Sequence, residues 1–245
     1  MEKERLQKIL SRSGYGSRRD CEKIIAESRV TVNNQLAKLG DKADFETDTI
    51  RVDNKNITKP ENPSFFLAFY KPRKVLSEIK KLDDRKVITD FIPPENYFFI
   101  VGRLDFDSEG LILLTNDGEV ANLLTHPRYE HEKEYHVQVA KVPDQEQLNI
   151  WRKGVYIESG YRTMPAKVDV LPQGKAGKWL RVILKEGKKR QIREIGINIG
   201  LPIKRIIRKR IGPIEVGRLN PGEWRRLTSQ EIKSLKNLQK SNKPN

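Results

Sequence analysis

The chain has 245 residues, which suits one large domain or two modest ones, and its net charge of +15 predicts a polyanionic partner such as nucleic acid. No apolar run reaches the ~18 residues of a transmembrane helix, and the first residues lack the apolar core of a secretory signal. A single cysteine, Cys21, allows no internal disulfide. Together these features predict a cytoplasmic protein with no membrane partner.

Residues 1–58 are predicted to form a small domain of their own. Apolar residues from Leu6 to Leu10 fall at helical spacing. A second helix begins at Ser17, a preferred N-cap residue, with Asp20 as its capping-box partner. Two short strands are predicted after it, at 29–32 and 49–52.

The two helices of this domain carry basic side chains that mostly avoid the apolar stripe. The candidates for RNA contact are Arg5, Lys8, Arg12, Arg18 and Arg19. We expect this face to bind phosphates, although an ordinary solvated face has the same pattern.

Residues 59–63 are predicted to be a linker, because the segment is polar and rich in proline. A strand at 64–70 opens a second domain that extends to residue 235, and a short helix is predicted at 87–92. Residues 236–245 are predicted to be a flexible tail.

The stretch 101–124 is the most informative part of the second domain. Two apolar strands flank a turn that carries three acids, Asp105, Asp107 and Glu109. Turn structure alone is one interpretation of these acids, and the paired carboxylates of a glycosidase are another. A calcium loop is excluded, because its twelfth position would be Asn116 and not a bidentate Glu.

Beyond this turn, alternation at 132–139 predicts a half-buried strand that contains Tyr135. Three histidines lie within eleven residues, but His131 and His136 fall on opposite faces of that strand, so no metal site is predicted. A helix is predicted at 142–152. Antiparallel strands are predicted at 154–171 and 178–184, around a loop at 173–177.

Residues 181–210 form the most basic segment, with eleven Lys and Arg against two Glu, or 11 − 2 = +9. A loop leads into a helix whose apolar face is marked by Ile192, Ile195 and Ile199. Basic residues interleaved with isoleucines follow. This mixture is typical of a folded nucleic-acid surface and not of a disordered basic tail.

Two sets of motifs resemble known families. RLQKIL, SRRDCEKII and RVTVN, within residues 3–53, resemble the S4 RNA-binding domain. FYKPRKVLS at 69–77, GRLDFDSEGLILLTNDGE at 102–119, and KEGKKRQIREI at 185–195 with RIGPI at 210–214 resemble the RsuA and RluB group of ribosomal RNA pseudouridine synthases. The resemblance implies an α+β fold, with an S4-like domain before a catalytic domain built on a mostly antiparallel mixed β-sheet with flanking helices.

The resemblance also implies roles for individual residues. Asp105 would be the catalytic carboxylate, kept ionised by Arg193, and Tyr135 would stack on the flipped uracil. Further RNA contacts are expected from six residues: Lys71, Arg103, Lys133, Lys188, Lys189 and Arg190. Isomerisation of uridine needs no cofactor and no metal, and one carboxylate near C1′ is enough to stabilise positive charge or bond covalently.

Several alternatives stay open at this level. EKEYHV and the basic segment favour large-subunit 23S RNA over the 16S RNA of the small subunit. The expected partner is ribosomal RNA or a ribosomal assembly intermediate. A non-catalytic assembly factor and a metal-dependent nuclease are the competing functions. A monomer is the default expectation. The target uridine and the covalent route are not encoded in any motif.

Overall fold

In the computed structural model of the chain, the described residues are 3–57, 65–92, 98–172 and 178–241. The chain divides into two compact units, Met1–Ser64 and Phe65–Asn245. The predicted linker at 59–63 and the predicted loop at 173–177 lie outside the described residues.

The first unit packs two helices against short strands. Its elements are β1 (Glu4–Arg5), α1 (Leu6–Arg12), α2 (Arg18–Ala26), β2 (Val30–Val32), β3 (Gln35–Leu36), β4 (Lys42–Ala43), β5 (Ile50–Val52) and β6 (Lys55–Asn56). The antiparallel sheet has the order β3-β2-β5-β6, and β1 pairs with β4. The predicted capping box is present, because the Asp20 N–H donates to Ser17 Oγ and the Ser17 N–H donates to Asp20 Oδ2. Leu6, Leu10 and Cys21 lie in the buried core of the unit.

The second unit holds the remaining elements. Its strands are β7 (Phe66–Lys71), β8 (Val75–Leu76), β9 (Lys86–Val87), β10 (Phe99–Val101), β11 (Glu109–Thr115), β12 (Lys133–Val139), β13 (Lys167–Val170), β14 (Trp179–Leu184), β15 (Ile203–Ile211), β16 (Ile214–Glu215) and β17 (Trp224–Arg226). Its α-helices are α3 (Gly118–Thr125), α4 (Gln145–Lys153), α5 (Gln191–Asn198) and α6 (Ser229–Ser241).

A mixed sheet organises the second unit. Within the described residues its strand order is β13-β14-β12-β15-β11-β7-β17, with β10 paired to β11 and β16 paired to β15. The pairs are antiparallel except for β11 with β15, which run parallel. This arrangement and the helices around it confirm the predicted α+β class.

Two apolar layers cover the two faces of the central strands. On β11, Ile112 and Leu114 pack into a cluster with Trp151 of α4 and Ile195 of α5. The alternate residues of the same strand face a second cluster, which includes Leu235 of α6. Every residue of β7 and β11 is therefore buried, which explains why both strands are continuous apolar runs in the sequence.

Three predicted elements differ from the structure. Residues 154–166 contain only an isolated bridge between Tyr156 and Arg162, so the first predicted strand of that region shortens to β13. The predicted helix at 87–92 is a single 3₁₀ turn, Ile88–Asp90. Helix α6 continues to Ser241, past the predicted start of the tail at residue 236. In the described part of the chain, no helix is both long and apolar enough to span a bilayer.

Candidate active site

The turn between β10 and β11, residues 102–108, carries Asp105 and is called the Asp105 turn. Each backbone carbonyl from Arg103 to Asp107 accepts a hydrogen bond. The donors, in order, are Arg208 Nη1 (3.2 Å), Ser77 Oγ (2.7 Å), the Ser108 N–H (3.0 Å), the Lys74 N–H (2.7 Å) and Arg193 Nη2 (3.3 Å). Four of these donors lie outside the turn, so its conformation is set by long-range contacts.

Ser77 binds one residue of the turn through two hydrogen bonds. Its hydroxyl donates to the Leu104 carbonyl at 2.7 Å and accepts from the Leu104 N–H at 3.0 Å. Both side chains are buried. Ser77 therefore holds both backbone groups of Leu104, the residue before Asp105, as donor to one and acceptor from the other.

The carboxylate of Asp105 is the exception in this turn. It is half-buried, and among the residues that the structure describes it accepts no hydrogen bond and forms no ion pair. Its charge nevertheless acts on two cations nearby, the half-buried Arg193 and the buried Lys71. The backbone is thus fixed while both carboxylate oxygens remain available to a bound molecule.

Arg193 approaches the Asp105 turn from α5. Its Nη2 lies 3.3 Å from the Asp107 carbonyl oxygen and 3.4 Å from Ser108 Oγ, whereas its buried Nε has no hydrogen-bond partner. Burial lowers the pKa of Arg193, and the charge of Asp105 opposes that effect. The structure therefore places Arg193 beside the Asp105 turn, with its hydrogen bonds to the turn and not to the Asp105 carboxylate with which it was predicted to pair.

Tyr135 lies on β12, in the middle of the sheet. It is 8% exposed and belongs to the same apolar cluster as Leu104 and Ile192. In the strand pairing it stands opposite Arg208 of β15. Leu104 precedes Asp105 and Ile192 precedes Arg193 in the chain. Tyr135 and these two neighbours therefore lie in one apolar cluster on the same face of the sheet.

Arg208 was missed by the sequence analysis. Its side chain is 2% exposed, and it donates from Nε to the Leu111 carbonyl at 2.7 Å as well as from Nη1 to Arg103. In the sequence it looks like any other cation of the basic segment. The only local signal of its burial is the pair of isoleucines that precede it, Ile206 and Ile207.

The prediction that Lys71 contacts RNA is wrong. Its side chain is 0% exposed, and its ammonium donates to the carbonyls of Pro72 (2.8 Å) and Val75 (2.7 Å). Burial lowers the pKa of Lys71 to about 8. Lys71 therefore stabilises the loop after β7 through hydrogen bonds to the carbonyls of that loop.

The other two acids of the turn have internal partners. Asp107 forms an ion pair with Lys74 at 2.7 Å, and the hydrogen bond from Lys74 lowers the pKa of Asp107. Glu109 is buried and forms an ion pair with Arg205 at 2.5 Å. The three carboxylates do not converge, and the described residues contain no group of three or more His, Cys, Asp or Glu that could hold a metal.

Other predicted RNA contacts of the second unit differ in exposure. Arg103 is open to solvent and lies 3.6 Å from Glu78. Lys133 is partly buried and donates to the His131 carbonyl at 3.0 Å, and burial lowers the pKa of Lys133. The remaining three form an exposed loop before α5: Lys188, Lys189 and Arg190.

This exposed loop is shaped by a buried acid, Glu186. Its Oε1 accepts from the Gln191 amide and from the Met164 N–H, both at 2.8 Å, and its Oε2 accepts from the Tyr161 hydroxyl at 2.8 Å. Lys188 lies 3.9 Å from the centroid of the Tyr161 ring. The loop is therefore ordered by its polar interior while its cations face outward.

The charge of the basic segment 181–210 is only partly available to a ligand. Several of its arginines are used inside the unit, in ion pairs or in hydrogen bonds to carbonyls: Arg181 with Glu134, Arg193 with the Asp105 turn, Arg205 with Glu109, Arg208 with two carbonyls, and Arg210 with Glu132. The expectation that the whole segment forms one RNA surface is therefore too broad.

The first unit has a basic cleft of its own. The cleft measures about 370 Å³ and is lined by Lys3, Glu4, Arg5, Gln7, Lys8, Arg18 and Lys42. Two of the predicted contacts, Lys8 and Arg12, form ion pairs with Glu4, whereas Arg18 and Arg19 are exposed. The cations exceed the acid in this cleft, so it favours anions.

Sequence comparison places these features among known proteins. The profile of the RNA pseudouridylate synthase family matches residues 66–195, and that of the S4 domain matches residues 4–50. The chain is 39% identical to the ribosomal large subunit pseudouridine synthase B of Bacillus subtilis (strain 168), over 96% of each protein. It is 37% identical to an uncharacterized RNA pseudouridine synthase of Aquifex aeolicus (strain VF5), over 94% of this chain and 93% of that protein.

The fold has a counterpart among solved structures. A crystal structure of a pseudouridylate synthase matches with a TM-score of 0.69 at 26% identity, and the match covers 94% of this chain and 99% of the other. The first profile spans Asp105, Tyr135 and Arg193, the same three residues that the motifs single out.

Proposed function

The chain belongs to the RNA pseudouridylate synthase family, and from that premise we propose that it isomerises a uridine of large-subunit ribosomal RNA to pseudouridine, with Asp105 as the nucleophile. The S4 domain and the synthase domain are those of an RNA-binding protein. The choice of the large subunit is supported by relatives that carry that name, among them the Bacillus subtilis protein.

The reaction breaks the N1–C1′ bond, turns the uracil and joins its C5 to C1′. C5 loses a proton and N1 gains one, so no atom or electron is added overall and no cofactor is proposed. The sugar carbon becomes electron-poor on the way. A carboxylate beside C1′ stabilises that charge or bonds to the carbon, and Asp105 has both oxygens available for this role.

Arg193 and Tyr135 complete the proposed site. Arg193 lies against the Asp105 turn, where its positive charge interacts with the negative charge of the Asp105 carboxylate. The ring of Tyr135 lies in the apolar cluster with Leu104, where it can stack on an everted uracil. Its hydroxyl is the group that we assign to removal of the C5 proton.

RNA contacts are proposed on each unit separately. In the second unit, the exposed cations of the loop before α5 and Arg103 bind phosphates, and Lys133 binds near the target nucleotide. In the first unit, the basic cleft and the exposed Arg18 and Arg19 bind folded RNA. These contacts offset the few kcal/mol that eversion of the base costs. We propose a monomer that acts on ribosomal RNA or on an assembly intermediate.

A single observation carries this proposal: the backbone of the Asp105 turn is fixed at five consecutive carbonyls, whereas the Asp105 carboxylate is unpartnered among the described residues. Such preorganisation around one open functional group is typical of catalysis and unnecessary for binding alone. It favours an enzyme over a non-catalytic assembly factor.

The test compares Asp105→Asn with Asp107→Asn, a matched control whose carboxylate is paired with Lys74. Purified protein is incubated with 23S and 16S ribosomal RNA, and pseudouridine is mapped at nucleotide resolution. We expect modification of 23S RNA by the wild type and by Asp107→Asn. Asp105→Asn should lose about 10⁴-fold or more in kcat while it still binds RNA.

Each other outcome contradicts part of the proposal. Full activity of Asp105→Asn would refute the assigned nucleophile. RNA binding without any pseudouridine, even with protein in excess, would favour the assembly factor. Modification of 16S RNA alone would reassign the subunit, and strand cleavage that a chelator abolishes would indicate a nuclease.

A further inference from the structure

Arg208 differs from the other arginines of β15 in its environment. Arg205 forms an ion pair with Glu109 at 2.5 Å, and Arg210 forms one with Glu132 at 2.9 Å. Arg208 is more deeply buried than either, yet the described residues include no carboxylate paired with it. Burial lowers the pKa of Arg208, as expected for a cation without an acid. Such a group is costly to bury unless neutral acceptors hold it.

The acceptors that hold Arg208 stand on both sides of Asp105. Its Nη1 donates to the Arg103 carbonyl at 3.2 Å, and its Nε donates to the Leu111 carbonyl at 2.7 Å. The segment between these two carbonyls contains Asp105 and the start of β11. One planar guanidinium therefore ties together the two ends of the segment that carries the proposed nucleophile.

The glycines at the two ends of this segment pack against Arg208. Gly102 has φ +75°, and a Cβ there would lie 3.4 Å from Arg208 Nη1. Gly110 has φ +109°, and a Cβ there would lie 2.3 Å from the Arg208 carbonyl oxygen. A side chain at Gly110 would collide with the backbone of β15. Both glycines of GRLDFDSEG thus allow close approach to the same arginine.

Arg208 also stands beside the second proposed catalytic residue. The register of β12 and β15 shifts between Glu134 and Tyr135, so that Glu134 pairs with Arg210 and Tyr135 pairs with Arg208. This bulge places Arg208 opposite Tyr135. Tyr135 partly offsets the lowering of the pKa of Arg208 that burial causes. The Arg208 Nη2 is buried and has no hydrogen-bond partner in the described chain.

We propose that Arg208 is a positioning residue of the isomerisation, which holds the Asp105 turn and the Tyr135 ring in a fixed relative geometry. The proposal rests on the function proposed above. Arginine suits this role because its donors diverge from one rigid plane, so they reach two carbonyls and leave a third donor for a hydroxyl. A lysine has a single point charge on a flexible stem and cannot bridge the same groups.

The test uses Arg208→Lys and Arg208→Met, with Arg210→Lys as the control on the same strand. Single-turnover rates and RNA affinity are measured on a 23S RNA fragment, and folding is checked by thermal unfolding. We expect Arg208→Met to lower the rate of the chemical step about 10²-fold, because a misplacement of about 1 Å has that effect. Arg208→Lys should lose at least tenfold despite its retained charge, with Kd within about twofold of wild type for both.

A second measurement separates positioning from general stability. 3-Fluorotyrosine incorporated at Tyr135 reports the environment of its ring by ¹⁹F NMR. We expect its resonance to shift or broaden in Arg208→Lys and to stay unchanged in Arg210→Lys. A change of RNA affinity alone, or a wild-type rate in Arg208→Lys, would overturn the proposal.

The remaining outcomes are also decisive. If neither Arg208 variant folds, the arginine has a structural role only and the proposal is wrong. If the Arg208 variants keep full activity while Asp105→Asn is inactive, this inference fails and the proposed function stands. If Asp105→Asn is active, the proposed function itself fails.

Discussion

The Asp105 turn and the loop of residues 187–190 carry opposite kinds of polar group. In the turn, protein donors satisfy the backbone carbonyls, and the cations that supply some of them, Arg193 and Arg208, point inward. In the loop, a buried acid orders the chain while Lys189 and Arg190 point outward. The two regions come from the two most conspicuous motifs of the sequence, yet one is built to fix a geometry and the other to attract an anion.

This difference separates the cations of the protein into two kinds, those that bind backbone carbonyls and those that are exposed. A cation that holds backbone carbonyls contributes to the position of reacting groups, so its loss is expected in kcat. A cation that is exposed contributes to RNA affinity, so its loss is expected in Kd and in salt dependence. Sequence position within one basic segment does not separate the two kinds.

Among the cations, the largest effect is expected at Arg193, which holds a backbone carbonyl of the Asp105 turn. Arg193→Met removes the donor to the Asp107 carbonyl and the charge next to Asp105. We expect kcat to fall by about 10²–10³, the usual cost of one preorganised electrostatic group. Steady-state kinetics on a 23S RNA fragment, with Kd measured separately, are sufficient to show this.

Arg193→Lys sharpens the test, because it keeps the charge and loses the planar fork. A partial recovery of kcat, to about a tenth of wild type, is expected if the charge next to Asp105 matters together with the hydrogen bond to the turn. A rise in Kd with unchanged kcat would instead mean that Arg193 acts like the exposed cations. The distinction between the two kinds of cation would then be wrong.

A smaller effect is expected at Ser77. Ser77→Ala removes the hydroxyl that donates to the Leu104 carbonyl and accepts from its N–H, and leaves both buried groups without that partner. We expect a loss of about 1–3 kcal/mol in the free energy of unfolding. A decrease in kcat of about tenfold should accompany it, because the residue before Asp105 becomes less fixed.

Ser234→Ala is the matched control for this change. Ser234 lies on α6, and its hydroxyl donates to the Gln230 carbonyl within the same helix. Its loss should alter neither stability nor kcat appreciably. Equal destabilisation by both substitutions, with kcat unaffected in Ser77→Ala, would show that the hydroxyl of Ser77 is not needed to fix the turn.

Local patterns in the sequence were sufficient for much of this architecture. The capping box of Ser17 and Asp20 follows from side chains three positions apart, and the helix predicted at 142–152 is observed as Gln145–Lys153. Strands β7 and β11 follow from continuous apolar runs. Asp105 was predicted as the catalytic residue from its motif, and its neighbour Leu104 is buried, as the apolar residues around it indicate.

What the sequence could not supply are contacts between distant residues. Lys71 and Arg208 carry charges, and a charge normally predicts exposure. Their burial depends on carbonyls of other elements, such as Val75 and Leu111, that no local pattern places nearby. Ser77 was part of a recognised motif, but its partner Leu104 lies 27 residues away. The sequence therefore pointed to Asp105 as the proposed nucleophile, but not to the distant residues that fix the backbone around it.

The smallest effect is expected at Lys189, which gives the clearest test of the role of the exposed cations. Its side chain is exposed and forms no ion pair within the described chain. Lys189→Ala should raise Kd for the RNA about threefold to tenfold at low salt and leave the single-turnover rate at saturating protein unchanged. The slope of log Kd against log salt should decrease by about 0.7–0.9, the loss of one phosphate contact.

Lys233→Ala removes the same charge from an exposed position on α6, the helix that packs on the other face of the sheet from the Asp105 turn. Because both substitutions lower the net charge equally, a general effect of charge would change the two slopes by the same amount. A change in the slope for Lys189→Ala alone would assign the phosphate contact to the loop. Equal slopes would mean that RNA is attracted by the overall charge, and that the outward cations of this loop have no special place in binding.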